Sequence, residues 1–118
     1  MIEYHGWITL CCADKKWADD HWDSARQKVA GEISRFSVAD GHSISFAEMT
    51  NSMQTVLLSG HTDEDIARVV RFMEFVGSVV QDSYGELVVL DDARSDLTAA
   101  ARYRLVGGRV LRYDTSNV

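Results

Sequence analysis

Residues 84–92 read Tyr-Gly-Glu-Leu-Val-Val-Leu-Asp-Asp, and the run Leu87-Val88-Val89-Leu90 inside them is the strongest strand signal in the chain. A strand apolar on successive residues offers both faces to protein, which suits a central position buried on both sides. The fold is read outward from that strand.

At the N-terminus, residues 2–12 alternate. Ile2, Tyr4, Gly6, Ile8, Leu10 and Cys12 fall on one face and Glu3, His5, Trp7, Thr9 and Cys11 on the other, the period of a second strand. Between residues 19 and 36 the period becomes helical, with Trp22, Ala25, Val29, Ile33 and Phe36 forming one stripe. Asp19, Asp20 and Asp23 fall in the first turns of that expected helix, where carboxylates complement its dipole. Residues 42–50 and 53–60 read as two strands turned at Asn51-Ser52. Thr62 reads as a cap for a second helix, followed by Asp63, Glu64 and Asp65. Ile66, Val69, Val70, Met73 and Val80, widened by Phe72, Phe75 and Val79, form its broad apolar stripe. Beyond the central strand and a polar linker, residues 102–114 read as a hairpin turned at Gly107-Gly108. A two-residue turn there sets Leu105 against Val110 on one face and gathers Arg102, Arg104 and Arg109 on the other.

The order is β-α-β-β-α-β followed by a hairpin. It predicts an α+β, two-layer sandwich of ferredoxin-like βαββαβ order with an added C-terminal β-hairpin and a mostly antiparallel sheet. With 118 residues, 46% hydrophobic and 25% charged, the chain fits a single domain over 1–118. It contains no proline, although average usage would place roughly six in this length. No apolar run approaches the ~20 residues of a membrane span, and no secretory signal pattern opens the chain. Adjacent Cys11 and Cys12 point to opposite faces of a strand. They read as small buried hydrophobes of a reducing, cytoplasmic compartment.

Charge restricts the partners. The net charge is −6, with eight acids and five bases in residues 1–60 and ten acids and seven bases in residues 61–118. Such a chain is repelled by phosphates and anionic lipid and attracted to basic partners, so direct nucleic acid binding and membrane binding are not expected.

No catalytic, cofactor or metal signature is expected. There is no Gly-rich phosphate loop, no nucleophile elbow, and no His-Glu-x-x-His or Cys-x-x-Cys pattern. The acids around His21 fan over more than one helix face, which favours a solvated helix start over a metal site. Asp91 and Asp92 end the central strand. They are a conceivable catalytic pair, but such acids also simply terminate strands, and the turn reading is preferred. The three hairpin arginines read as edge charges that block sheet-to-sheet pairing, with anion binding as the alternative. Trp7 reads as packing over Gly6 or cross-strand neighbours, with an exposed partner anchor as the alternative.

The opening Glu3-Tyr4-His5-Gly6-Trp7, the element order, residues 84–92 and the C-terminal YRLVGGRVLRYD together resemble the bacterial immunity protein 7 family. Residues 3–7 carry most of that resemblance, whereas the stretch from Cys11 to Asp23 contributes nothing to it. The resemblance implies a cytoplasmic antidote that binds and neutralises a cognate polymorphic toxin stoichiometrically and without turnover, and the acidic balance suits a basic nuclease domain as that toxin. Glu3, Tyr4, His5, Gly6 and Trp7 are then a family motif that serves the fold. Charge clustering nominates Asp19, Asp20, Asp23, Asp91 and Asp92, with Trp17 as aromatic anchor, for partner binding. The free chain is expected to be a monomer or homodimer. Two other readings are a ferredoxin-like ligand-binding or regulatory module that dimerises through its sheet, and an enzyme with a dispersed site of Asp91, Asp92, His5 and the arginines.

Overall fold

The computed structural model describes residues 2–37, 43–48, 54–62, 66–91 and 101–114. In chain order these form β1 (Ile2–Leu10), α1 (Lys15–Ser37), β2 (Ser43–Glu48), β3 (Gln54–Thr62), α2 (Ala67–Val79), β4 (Tyr84–Asp91), β5 (Ala101–Val106) and β6 (Arg109–Asp114). The strands make one sheet in the order β2-β3-β1-β4-β5-β6, antiparallel at every pairing. β2-β3-β1-β4 is the ferredoxin-like split βαβ arrangement, and the C-terminal hairpin extends the sheet beyond β4.

Parity along each strand assigns one row of side chains to the helices. Tyr4, Ile8 and Leu10 of β1, Val56 and Leu58 of β3, Leu87 and Val89 of β4, and Tyr103 and Leu105 of β5 are all buried. Against them pack Ala25, Val29, Ile33 and Phe36 of α1 and Val69, Phe72, Met73 and Val76 of α2. The expected stripe of α1 is therefore the one that is used. Both helices cover the same face, and among the described residues no helix lies on the opposite face of the sheet.

Several local expectations are corrected. α1 begins at Lys15, not at Asp19, because Asp14 is its cap: the Trp17 amide donates to Asp14 Oδ1 at 3.1 Å. Asp19, Asp20 and Asp23 consequently lie beyond the first turn. Thr62 is the last residue of β3, paired with Ile2, and the residue that flanks α2 is Ile66, which makes no side-chain cap bond. Residues 63–65, the Asn51-Ser52 turn and the polar linker fall outside the described residues. β4 is central as expected but is not buried on both sides: Leu87 and Val89 are buried, whereas Val88 and Leu90 are only half-buried. Cys11 and Cys12 follow β1 as half-buried free thiols, not buried hydrophobes. Among the described residues no helix is long and apolar enough to cross a membrane.

Two glycine positions explain how closely the strands meet. A Cβ on Gly6 would lie 2.5 Å from the Glu86 carbonyl oxygen, so β1 and β4 can approach as they do only with glycine there. Gly107 and Gly108 have φ of 58° and 77°, the left-handed pair that a two-residue hairpin turn requires. That turn sets Leu105 opposite Val110, as expected.

Candidate functional site: the open face of the sheet

Strand parity divides the N-terminal motif. Tyr4 is buried among the helices, and burial pushes its phenol up to about 12, only partly offset by the positive charge of Arg68. Gly6 permits the close β1–β4 approach. Glu3, His5 and Trp7 point the other way, onto the uncovered face, and Trp7 remains 38% exposed.

Register assembles the rest of that face. Trp7 pairs with Leu57 on one side and Glu86 on the other, Glu86 pairs with Arg104, and Arg104 pairs with Leu111. These residues form one row running straight across β3, β1, β4, β5 and β6. Tyr84 and Val106 share their parity. The exposed large hydrophobics among the described residues are Trp7, Leu57, Tyr84, Val106 and Leu111, and all five lie on this face. A grouping of that kind is unusual on a solvated surface and makes this face the candidate interaction site.

The face is also held in shape. Trp7 and Tyr84, diagonal neighbours on adjacent strands, meet edge to face with centroids 5.8 Å apart, a geometry that contributes roughly 0.5–1.5 kcal/mol beyond burial. Glu86 Oε1 accepts from Arg104 Nη2 at 2.9 Å, Arg104 Nε at 3.3 Å and the Tyr113 hydroxyl at 3.0 Å. The Arg104 guanidinium also lies 5.3 Å from the centre of the Tyr113 ring. The Arg104 hydrogen bond holds the Glu86 carboxyl below its usual range against opposing desolvation, and Tyr113 assists. The same hydrogen bond raises the pKa of Arg104. At the far end of the face, Glu3 Oε1 lies 3.3 Å from His5 Nε2 and 3.4 Å from His61 Nε2. Either contact becomes an ion pair when its imidazole is protonated.

The other nominated residues lie elsewhere. Asp19, Asp20 and Asp23 are exposed on α1, interleaved with Lys15, Lys16, Arg26 and Lys28, so that helix is not an acidic surface. Trp17 is half-buried against the core and tilted onto His21 at 5.4 Å. It also lines a cavity of about 270 Å³ with Cys12, Asp14 and Asp82. Both carboxylates there serve the backbone, Asp14 capping α1 and Asp82 accepting from the Ala13 amide at 2.9 Å. Asp91 closes β4 opposite Ile2, and Asp92 falls outside the described residues. The edge-charge reading of the arginines holds for Arg109 alone, because Arg102 and Arg104 belong to β5, which is flanked by β4 and β6. Among the described residues no three His, Cys, Asp or Glu side chains are grouped to hold a metal ion.

Sequence reasoning passed over Leu57, Tyr84, Glu86, Leu111 and Tyr113. The Gly-Gly turn was a usable signal for Leu111 and Tyr113, since it fixes their parity with Arg104. Leu57 had no such signal, lying within the uninterrupted Val56-Leu57-Leu58 run.

Among the described residues this is a two-layer sandwich whose second sheet face is uncovered, carries the exposed large hydrophobics and is internally braced, which makes it a candidate contact surface. The comparisons identify its kind: the family model described as Immunity protein 7 matches residues 1–115, and the chain belongs to that family. No curated protein and no solved structure matches it.

Proposed function

We propose that this chain is the antidote of a bacterial polymorphic toxin system, a cytoplasmic protein that neutralises a cognate toxin by one-to-one binding and has no turnover of its own. The observation that carries this reading is the immunity protein family match over residues 1–115. The toxin is a nuclease with a basic substrate surface. The net charge of −6, to which Asp19, Asp20, Asp23, Asp91 and Asp92 contribute, accelerates encounter with such a partner and disfavours direct binding to nucleic acid.

The test is co-expression with the toxin domain encoded beside this gene. Growth arrest should be relieved, and the two chains should co-purify as a one-to-one complex. Absence of both protection and binding would contradict the proposal. The second reading, a regulatory module that dimerises through its sheet, draws on the same uncovered face. It predicts a stable dimer indifferent to the toxin.

A further inference from the structure

We infer that the uncovered sheet face is the surface that receives the toxin, and that the toxin region it fits is flat and apolar, with carboxylates on the side that meets β5 and β6. The inference rests on the toxin-neutralising reading and adds the surface and the chemistry of the contact.

Three observations lead to it. The first is extent. Six strands spaced ~4.8 Å apart and up to nine residues long at ~3.3 Å per residue make a face of about 24 by 27 Å, or ~650 Å² before side-chain relief is counted. A stable interface buries about 800 Å² on each partner, so this face supplies most of what a tight complex needs.

The second is the arrangement of anchors. Leu57 and Trp7 stand on one side of the row, Leu111 and Val106 on the other, and the braced Glu86–Arg104–Tyr113 group lies between them. Apolar anchors around a polar group already satisfied within its own chain let the centre desolvate without leaving a buried charge unpartnered.

The third is charge. The chain as a whole is acidic, but the described charged side chains of this face are Arg102, Arg104 and Arg109 against Glu3 and Glu86. The arginines stand together on β5 and β6, and the glutamates belong to β1 and β4. Arg102 is half-buried, and its Nε is shielded from solvent with no hydrogen-bond partner among the described residues. With Arg104 already paired to Glu86, the guanidinium charges of Arg102 and Arg109 still leave that side of the face positive, which favours a carboxylate-bearing surface, whereas the acidic remainder of the chain serves long-range attraction. The exposed acids of α1 offer no comparable site. Trp17 and Trp22 of that helix are packed against the core, and its four acids are outnumbered by five bases.

The test measures binding of an activity-dead form of the toxin domain encoded beside the gene. Leu57→Glu with Leu111→Glu changes two side chains that are 48% and 53% exposed, so folding should survive. Affinity should fall by about 100-fold or more, while Asp19→Lys with Asp20→Lys and Asp23→Lys stays within about threefold of wild type at moderate salt. Val106→Lys, at the hairpin tip, is the second variant should the double substitution fail to fold, and it too should weaken binding. Normal binding by folded Leu57→Glu/Leu111→Glu and Val106→Lys would overturn the surface assignment and leave the antidote reading standing. Loss of a wild-type dimer in those variants, with toxin affinity intact, would also overturn it by making this face a contact between copies. If the unaltered chain fails to bind the toxin, the antidote reading itself falls.

Discussion

Replacing Gly6 with alanine tests why glycine stands within the opening motif. The added Cβ would sit 2.5 Å from the Glu86 carbonyl oxygen and 3.1 Å from Leu87 Cα, at least 0.5 Å inside the closest approach to the oxygen that real Cβ atoms make. Both atoms belong to the backbone of the neighbouring central strand, so relief requires the β1–β4 ladder to open. Overpacking of this kind costs about 1–3 kcal/mol. Reduced freedom of the unfolded chain returns about 0.4–1 kcal/mol. The net is a loss of roughly 1.3 kcal/mol, which for a chain of this size lowers Tm by about 5 °C. Gly31→Ala is the matched control, because a Cβ there meets nothing within 4 Å in the exposed middle of α1. It should stabilise by about 0.5–1 kcal/mol. Thermal unfolding followed by circular dichroism, with urea titration in parallel, reads both. A Gly6→Ala protein as stable as wild type would refute the steric account of the motif.

Three further outcomes follow from local geometry. Asp14→Ala removes the cap of α1 and should cost about 1 kcal/mol in urea unfolding, a value that Asp14→Ser largely restores. Gly107→Ala forces φ of 58° on a residue with a Cβ and should lower stability by about 1–2 kcal/mol, although open space surrounds the site. The Glu86 carboxyl is held below its unfolded value, so its stabilising contribution is full above the ordinary glutamate pKa of about 4.3 and is lost as pH falls through the lower folded value. The stability gap between wild type and Glu86→Gln should accordingly be flat near neutrality and close on acidification. A gap that widened toward low pH would contradict the assigned direction.

Much of this architecture was legible in the residues because local periodicity and burial agree. The stripe from Trp22 to Phe36, the alternation of β1 and the glycine pair of the hairpin each require one dominant local arrangement. Misreadings occurred where a long-range contact outweighed a local signal. Thr62 followed by three acids looks like a helix start, yet pairing with Ile2 extends β3 through it. The Leu87–Leu90 run looks doubly buried. However, the helices cover only Leu87 and Val89, while Val88 is flanked by His5 and Arg102 on the uncovered face. The proposed binding face was the least legible part. Its row draws one residue from each of five strands, and only register reveals that Leu57, Trp7, Glu86, Arg104 and Leu111 are neighbours. Charge clustering nominates Asp19, Asp20 and Asp23, because clusters in sequence are visible without register, whereas a row across five strands is not.

Hydroxyl-radical footprinting of the equimolar complex with the activity-dead toxin domain tests the account most directly, since two of the chain's three tryptophans stand on opposite layers and serve as reporters. Trp7 lies on the uncovered sheet face and Trp17 on α1. Complex formation should suppress oxidation of Trp7, Tyr84 and Leu111 and leave Trp17 unchanged. Protection of Trp17 with Trp7 still reactive would place the toxin on the helices and contradict the account.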